Sequence, residues 1–251
     1  MYQRPHPRSE HPVRKPRRFA RLPGGFDPAP LVAELRAVAP WFAPAAAPAA
    51  EPPPPWIASQ WKWHLGTYFL VLRGGPPTTI PGGMLTSGAG VDAPLLDQLP
   101  AHRALLDATT GPLPAPAALA WIGLSPPGAR IHLHVDNTRH WDEHHRVHLP
   151  LVTTPAARLC VDRRFLHFPA GTCWAIDNSA PHGAHNAGPA RLHLMVDLPP
   201  TPAVEAWMAA GEAIDGDEDP ATLAALAADP LAHLGPRERA DPALLGRLLR
   251  Q

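Results

Sequence analysis

The sequence predicts a mainly β protein, an antiparallel jelly roll flanked by α-helices at both ends. Two observations predict it. Short alternating runs follow one another at 119–124, 130–136, 145–153, 157–161, 164–168, 172–177 and 190–198. Each is bounded by Gly, Pro, Asn or Asp, the residues that end strands and open turns. Leu/Ala-rich segments with helical spacing stand before and after this block.

Taken in order, residues 1–22 are polar and rich in Arg, His and Pro, and read as a disordered basic arm. Residues 23–118 hold N-terminal helices, a Pro-rich linker and the leading strands of the core. Leu31, Leu35 and Val38 recur at helix spacing, which predicts a helix over 28–43. The run PAAAPAAEPPPP (44–55) is a stiff linker or surface loop, too rich in Pro for a helix or sheet interior. The aromatic and β-branched stretch WKWHLGTYFLVLR (61–73) reads as strand, 74–90 as loop and 94–108 as helix. Residues 119–198 form the jelly-roll core. Residues 199–251 return to helix at 202–213, 220–228 and 242–250, with Pro or Asp near the starts.

Composition narrows the partners. Lys plus Arg and Asp plus Glu balance at 22 each, so there is no uniform basic field for nucleic acid. No apolar run approaches the roughly 20 residues of a membrane helix, and the N-terminus lacks the apolar stretch of a signal peptide. Cys160 and Cys173 are too few for a disulfide framework and fit no CxxC zinc pattern, which suits two reduced thiols in a cytoplasmic protein. Histidine is abundant, and 7 of the 15 lie between His132 and His167.

Spacing must decide which histidines matter. In R-I-H-L-H-V-D (130–136), strand alternation puts His132, His134 and Asp136 on one face and Ile131, Leu133 and Val135 on the other. Ionisable groups on an inward face must pair or bind metal. A mononuclear iron site takes two imidazoles and one carboxylate and keeps three positions open. H-x-D supplies two of these ligands, and His182, after the D-N-S-A-P turn, supplies the third. Arg191 follows nine residues later and shares a face with His193, and Arg146 shares a face with His148. A dicarboxylate needs a fixed bidentate cation, and Arg is the right residue type. His132 competes with His134 as ligand, because H-x-H also opens the metal sites of cupins. His140, His144 and His145 lie in a polar loop and read as solvated. Trp141 there reads as a lid or a loop anchor. Arg73 is a candidate for a substrate carboxylate.

Four ordered segments carry a resemblance: G-A-R-I-x-x-H (128–134), R-V-H-L-P-L (146–151), W-A-I-D-N-S-A-P-H-x-x-x-N (174–186) and R-L-H-L-M-V-D-L (191–198). This stretch resembles the aspartyl/asparaginyl β-hydroxylase family of Fe(II)/2-oxoglutarate-dependent oxygenases and the related free-proline hydroxylases. The resemblance implies a double-stranded β-helix core with flanking helices. It implies Fe(II), 2-oxoglutarate and O2 as cofactor and cosubstrates, with 2-oxoglutarate decarboxylated to succinate and CO2. It makes His134 and His182 iron ligands, favouring His134 over His132. Arg191 would bind the distal carboxylate of 2-oxoglutarate, and Arg146 and His148 would line the same pocket. Some peptide-hydroxylating members carry Gly where Asp136 stands, whereas the full triad of His134, Asp136 and His182 matches the proline hydroxylases. The expected substrate is an amino-acid side chain, free, carrier-bound or in a peptide. The competing expectations are a cupin-type metalloenzyme that does not use 2-oxoglutarate and a non-catalytic jelly-roll binding protein. Neither needs Arg191.

Overall fold

The structure is a computed structural model that describes residues 9–41, 54–59, 62–64, 66–74, 90–136 and 139–228. Twelve strands among these residues form two antiparallel sheets. The larger sheet has the order β12 (Glu212–Ile214), β1 (Phe19–Gly25), β9 (Thr172–Ile176), β6 (His145–Val152), β11 (Arg191–Leu198), β4 (Leu119–Ser125), β3 (Tyr68–Arg73) and β2 (Ile57–Ala58). The smaller one runs β5 (Arg130–His134), β10 (His182–Asn186), β7 (Ala157–Val161) and β8 (Arg164–Leu166). This is the jelly roll that the strand rhythm predicts, with helices on both chain-wise sides. They are α1 (Ala29–Val38), α2 (Pro100–Leu106), the short α3 (Arg139–Glu143), α4 (Pro202–Ala209) and α5 (Pro220–Ala227).

Alternation decides what each face does. On β6, Val147, Leu149 and Leu151 point outward; on β11, Leu192, Leu194 and Val196 do the same. They pack with Leu31 and Leu35 of α1, Leu106 of α2 and Val204 of α4. Each fully buried Leu there contributes about 1.5–3 kcal/mol. The opposite faces of β6 and β11 carry Arg146, His148, Arg191, His193 and Asp197, all buried between the sheets. A second cluster fills the rest of that interior: Phe19, Leu159, Val161, Phe168, Trp174, Ile176 and Ala184.

Several expectations need correction. Residues 9–22 are not a free arm. Phe19 and Leu22 are buried in β1, and Ser9, Val13 and Lys15 bond to the 142–144 segment. The Arg and Pro content hides this short apolar pattern. Within 61–73, strand begins only at Tyr68. Lys62–His64 is a 3-10 turn and Gly66 sits at φ +80°, a conformation that breaks a strand. The 202–213 helix stops at Ala209, ahead of Gly211, and the chain turns into β12 beside β1. Its start is as expected: the Thr201 side chain accepts from Val204 N, with Pro at the first helical position. The distant strand on which the sequence places His182 is β10, and it folds back alongside β5. The 242–250 helix and most of the 44–55 and 74–90 segments lie outside the described residues.

The pairing of β5 with β10 contains a bulge. His182 faces His134, but Ala184 faces Ile131, so β5 carries one extra residue. The extra residue shifts the pleat. Ile131 and His134 both turn inward, while Leu133 packs outside against Cys160 and Phe165. Gly183 makes the bulge possible, because a Cβ there would meet the Ile131 carbonyl oxygen. Gly183→Ala should therefore lower stability by about 2 kcal/mol, read from the urea midpoint. Gly123→Ala, whose added carbon meets only the flexible end of Met195, should lower it by less. Equal midpoints for the two variants would contradict the role given to the bulge.

Candidate metal centre and its buried cations

His134, Asp136 and His182 come together, with their ligand atoms all within 4.8 Å of one another. Asp136 Oδ1 lies 3.9 Å from His134 Nε2, and Asp136 Oδ2 lies 3.9 Å from His182 Nε2. The backbone fixes both imidazoles in one tautomer. His134 Nδ1 is 2.8 Å from the His132 carbonyl oxygen, and His182 Nδ1 is 3.0 Å from that of Ala180. A carbonyl only accepts, so each Nδ1 carries the proton and each Nε2 presents a lone pair to the centre. Two neutral imidazole nitrogens and a carboxylate on one side form the donor set of a divalent iron site. The residues therefore fit such a metal.

The bulge brings His134, and not His132, beside Asp136 and His182. His132 turns away, its Nδ1 3.2 Å from the Leu226 carbonyl oxygen on α5. The two histidines do not share a face, contrary to strict alternation.

Asp136 is held from behind. Its Oδ2 accepts from Arg146 Nη1 at 2.6 Å and from Asn178 Nδ2 at 3.0 Å. Arg146 in turn donates twice to Asp197, through Nε and Nη2, both at 2.9 Å. Its guanidinium is stacked between Trp121 and Trp141, 4.6 and 4.9 Å from the ring centroids. Burial raises the Asp136 carboxyl, but Arg146 and the two imidazoles outweigh it and hold it below its ordinary value. Arg146 lines the central cavity as expected, yet the structure gives it two carboxylates of its own. Its evident task is to hold Asp136. Sequence reasoning missed Asp197 and assigned Asn178 to a local turn. Alternation along β11 already puts Asp197 on the face of Arg191 and could have found it; nothing in the sequence signals that Asn178 reaches Asp136.

Arg191 is different. It is 5% exposed, and among the described residues no carboxylate pairs with it. Its Nη1 donates to Ser125 Oγ at 3.2 Å, its Nη2 lies 2.8 Å from His193 Nδ1, and its Nε has no partner. Burial pushes its guanidinium down to about 9, so it stays charged at neutral pH. His148, also buried, has no hydrogen-bond partner on either ring nitrogen among the described residues. Arg191, His148, Arg146 and the triad line one cavity of about 110 Å³, whose remaining walls are largely aromatic and aliphatic.

The other singled-out residues are elsewhere. His140 lies 3.0 Å from Asp197 and His145 lies 2.8 Å from Glu205, so neither is a solvated loop residue. Trp141 is buried in the cavity wall. Arg73 pairs with Asp92 and Asp107 at 2.6 and 2.5 Å and does not await a substrate. Asn186 is structural, its Nδ2 donating to the carbonyls of Ser125, Pro126 and Pro189. His64, not singled out in the sequence, reaches the centre: its Nε2 is 3.2 Å from His134 Nε2.

Fold and site together are a jelly roll with a candidate metal centre and a buried cation in the same cavity. A sequence profile described as Aspartyl/Asparaginyl beta-hydroxylase matches residues 67–200, just over half of the chain. The chain belongs to that family, and its class is accordingly that of a hydroxylase-type oxygenase. No curated protein matches the sequence significantly. Among solved structures, an oxidoreductase of the 2OG-Fe(II) oxygenase family from Burkholderia pseudomallei is 12% identical. That match covers 52% of this chain and 65% of that one, with a TM-score of 0.37. A predicted oxalate decarboxylase from Thermotoga maritima is 19% identical over 33% and 67% of the two chains, TM-score 0.27. A cupin 2 domain-containing protein from Halorhodospira halophila is 19% identical over 53% and 72%, TM-score 0.26. Likeness at this level carries no functional argument.

Asp197→Asn should weaken metal binding by roughly 10- to 100-fold, as losses of residues that support a ligand do, read by calorimetric titration of the metal-free protein. An unchanged affinity would remove Asp197 from the centre. Acid should destabilise the fold. Burial holds His148 and His193 well below the ordinary histidine value and also lowers His102 and His145. The unfolded chain takes up these protons below about pH 6.5, and the folded chain only at lower pH. Their contribution is therefore full above that pH and is lost as pH falls. Urea-derived stability should drop between pH 7 and 5, by up to about 1.4 kcal/mol per pH unit for each imidazole. A flat profile would mean that they are protonated in the fold.

Proposed function

We propose that the protein is an Fe(II)- and 2-oxoglutarate-dependent dioxygenase that hydroxylates an amino-acid side chain, free or within a peptide, and yields succinate and CO2. One observation carries the reading. Arg191 is a buried guanidinium without a carboxylate partner among the described residues, and it lines the same cavity as the His–Asp–His triad. A buried charge is costly until an anion joins it. A dicarboxylate that reaches from the triad to Arg191 supplies that anion. A cupin-type metal enzyme or a binding jelly roll leaves the cation unexplained.

Iron, when bound, supplies the activation of oxygen that is coupled to decarboxylation. The protein's part is to place and shield. His134, His182 and Asp136 would hold the metal. Arg191 and Ser125 would take the distal carboxylate, and the unpartnered nitrogens of His148 can meet cosubstrate oxygens. Trp121, Trp141, Phe69 and Met195 wall the cavity and would shield a bound cosubstrate from water. The cytoplasm is the proposed setting. It keeps Cys160 and Cys173 reduced, and burial pushes these thiols up to about 11 and about 12, which makes them inert there.

The test is an anaerobic titration of metal-free protein with Fe(II) and then 2-oxoglutarate. A visible charge-transfer band should appear in wild type and be absent in His182→Ala. In Arg191→Ala it should need about 100-fold more cosubstrate, since truncating one partner of a buried charge pair costs roughly 2–5 kcal/mol. Metal binding without a band would contradict the proposal and favour the cupin-type reading.

A further inference from the structure

We infer that His64 is a fourth protein ligand of this centre and fills one of the three positions that the triad leaves open in the resting protein. The inference rests on the reading of His134, Asp136 and His182 as a metal site. His64 stands on the 3-10 turn Lys62–His64, just ahead of β3. The turn is pinned: Thr67 donates to the His64 carbonyl oxygen from its N at 3.0 Å and from its Oγ1 at 2.6 Å. The imidazole lines the cavity, its ring centroid 4.8 Å from that of His134.

The distance between the two Nε2 atoms is the central fact. His134 Nδ1 is committed to the His132 carbonyl, so His134 Nε2 offers only a lone pair. Without metal, the proton across the 3.2 Å gap belongs to His64. With metal, the His134 lone pair goes to the ion. His64 in the tautomer protonated at Nδ1 would then turn its own Nε2 lone pair to the same ion. Two imidazole nitrogens on adjacent corners of an octahedron, each about 2.1 Å from the metal, lie about 3.0 Å apart. The His64–His134 spacing is already close to that value. His64 stands outside the group whose donors lie within 4.8 Å of one another. Loading therefore draws it inward, as it draws the triad together from 3.9 Å.

Ligation by His64 gives the centre a cap. If cosubstrate and oxygen together need the three positions that the triad leaves open, His64 would have to leave before both are served. A resting metal with His64 attached would be shielded from oxygen until the cavity fills.

The experiment counts imidazoles on Co(II)-loaded full-length protein by X-ray absorption and measures Co(II) affinity. Wild type should show three imidazoles. His64→Phe, which keeps a ring in place, should show two and bind Co(II) at least 10-fold more weakly. The wild-type count stands whether or not the variant folds. Two imidazoles in wild type would overturn the proposal, and so would an unchanged affinity in a folded His64→Phe protein. If His182→Ala binds Co(II) as wild type does, the triad itself is wrong and the proposal falls with it. If the count is three and 2-oxoglutarate does not bind, the cap stands and the cosubstrate reading fails.

Discussion

Among the described residues, two guanidiniums are buried on the inner face of the larger sheet, and only one of them has carboxylate partners there. Arg146 lies between Asp136 and Asp197, stacked by Trp121 and Trp141, and its charge is balanced within the fold. Arg191 is buried as deeply and has a hydroxyl and an imidazole for company. In a low-dielectric interior, such an imbalance is tolerated where an outside anion restores it. The same strand alternation that sends Leu192, Leu194 and Val196 to the outer core sends Arg191 inward. The apolar packing that stabilises the sheet thus also holds the unbalanced charge in place.

The triad depends on a departure from regularity. A regular β5 would present His132 and His134 to the same side. The bulge opposite Gly183 removes His132 and leaves His134 facing His182. Backbone carbonyls of His132 and Ala180 then fix the imidazole tautomers, so the chain immediately around each imidazole supplies its orientation. Asp136 receives its orientation from farther away, through Asn178 and the Arg146–Asp197 pair. The centre is thereby set by three segments distant in sequence and close in the fold.

Much of this is legible in the sequence. Period-two alternation gives the inward face of β6 and β11, and it carries Asp197 along with Arg191. The H-x-D pair and a distal histidine after a turn give the candidate triad. The rest is lost for physical reasons. A bulge depends on pairing between distant strands, so no local pattern reports it. His64 lies before a strand whose composition suggests that strand starts at residue 61, and Gly66 alone hints at the turn that brings the imidazole round. Residues 9–22 look disordered because Arg and Pro dominate them, while a few side chains, Phe19 and Leu22 above all, suffice to dock the strand. His145 looks solvated among polar neighbours, but its partner Glu205 is 60 residues away.

The most direct test of the unbalanced cation compares two ligands that differ only at the end meant for Arg191. With Fe(II)-loaded protein under anaerobic conditions, the affinity for 2-oxoglutarate is measured against that for 2-oxovalerate, which has the same length of carbon chain and no distal carboxylate. Arg191 predicts at least about 100-fold tighter binding of 2-oxoglutarate, consistent with the worth of a desolvated charge pair. Equal affinities would show that the buried cation does not meet the cosubstrate, and the account of the cavity would fail.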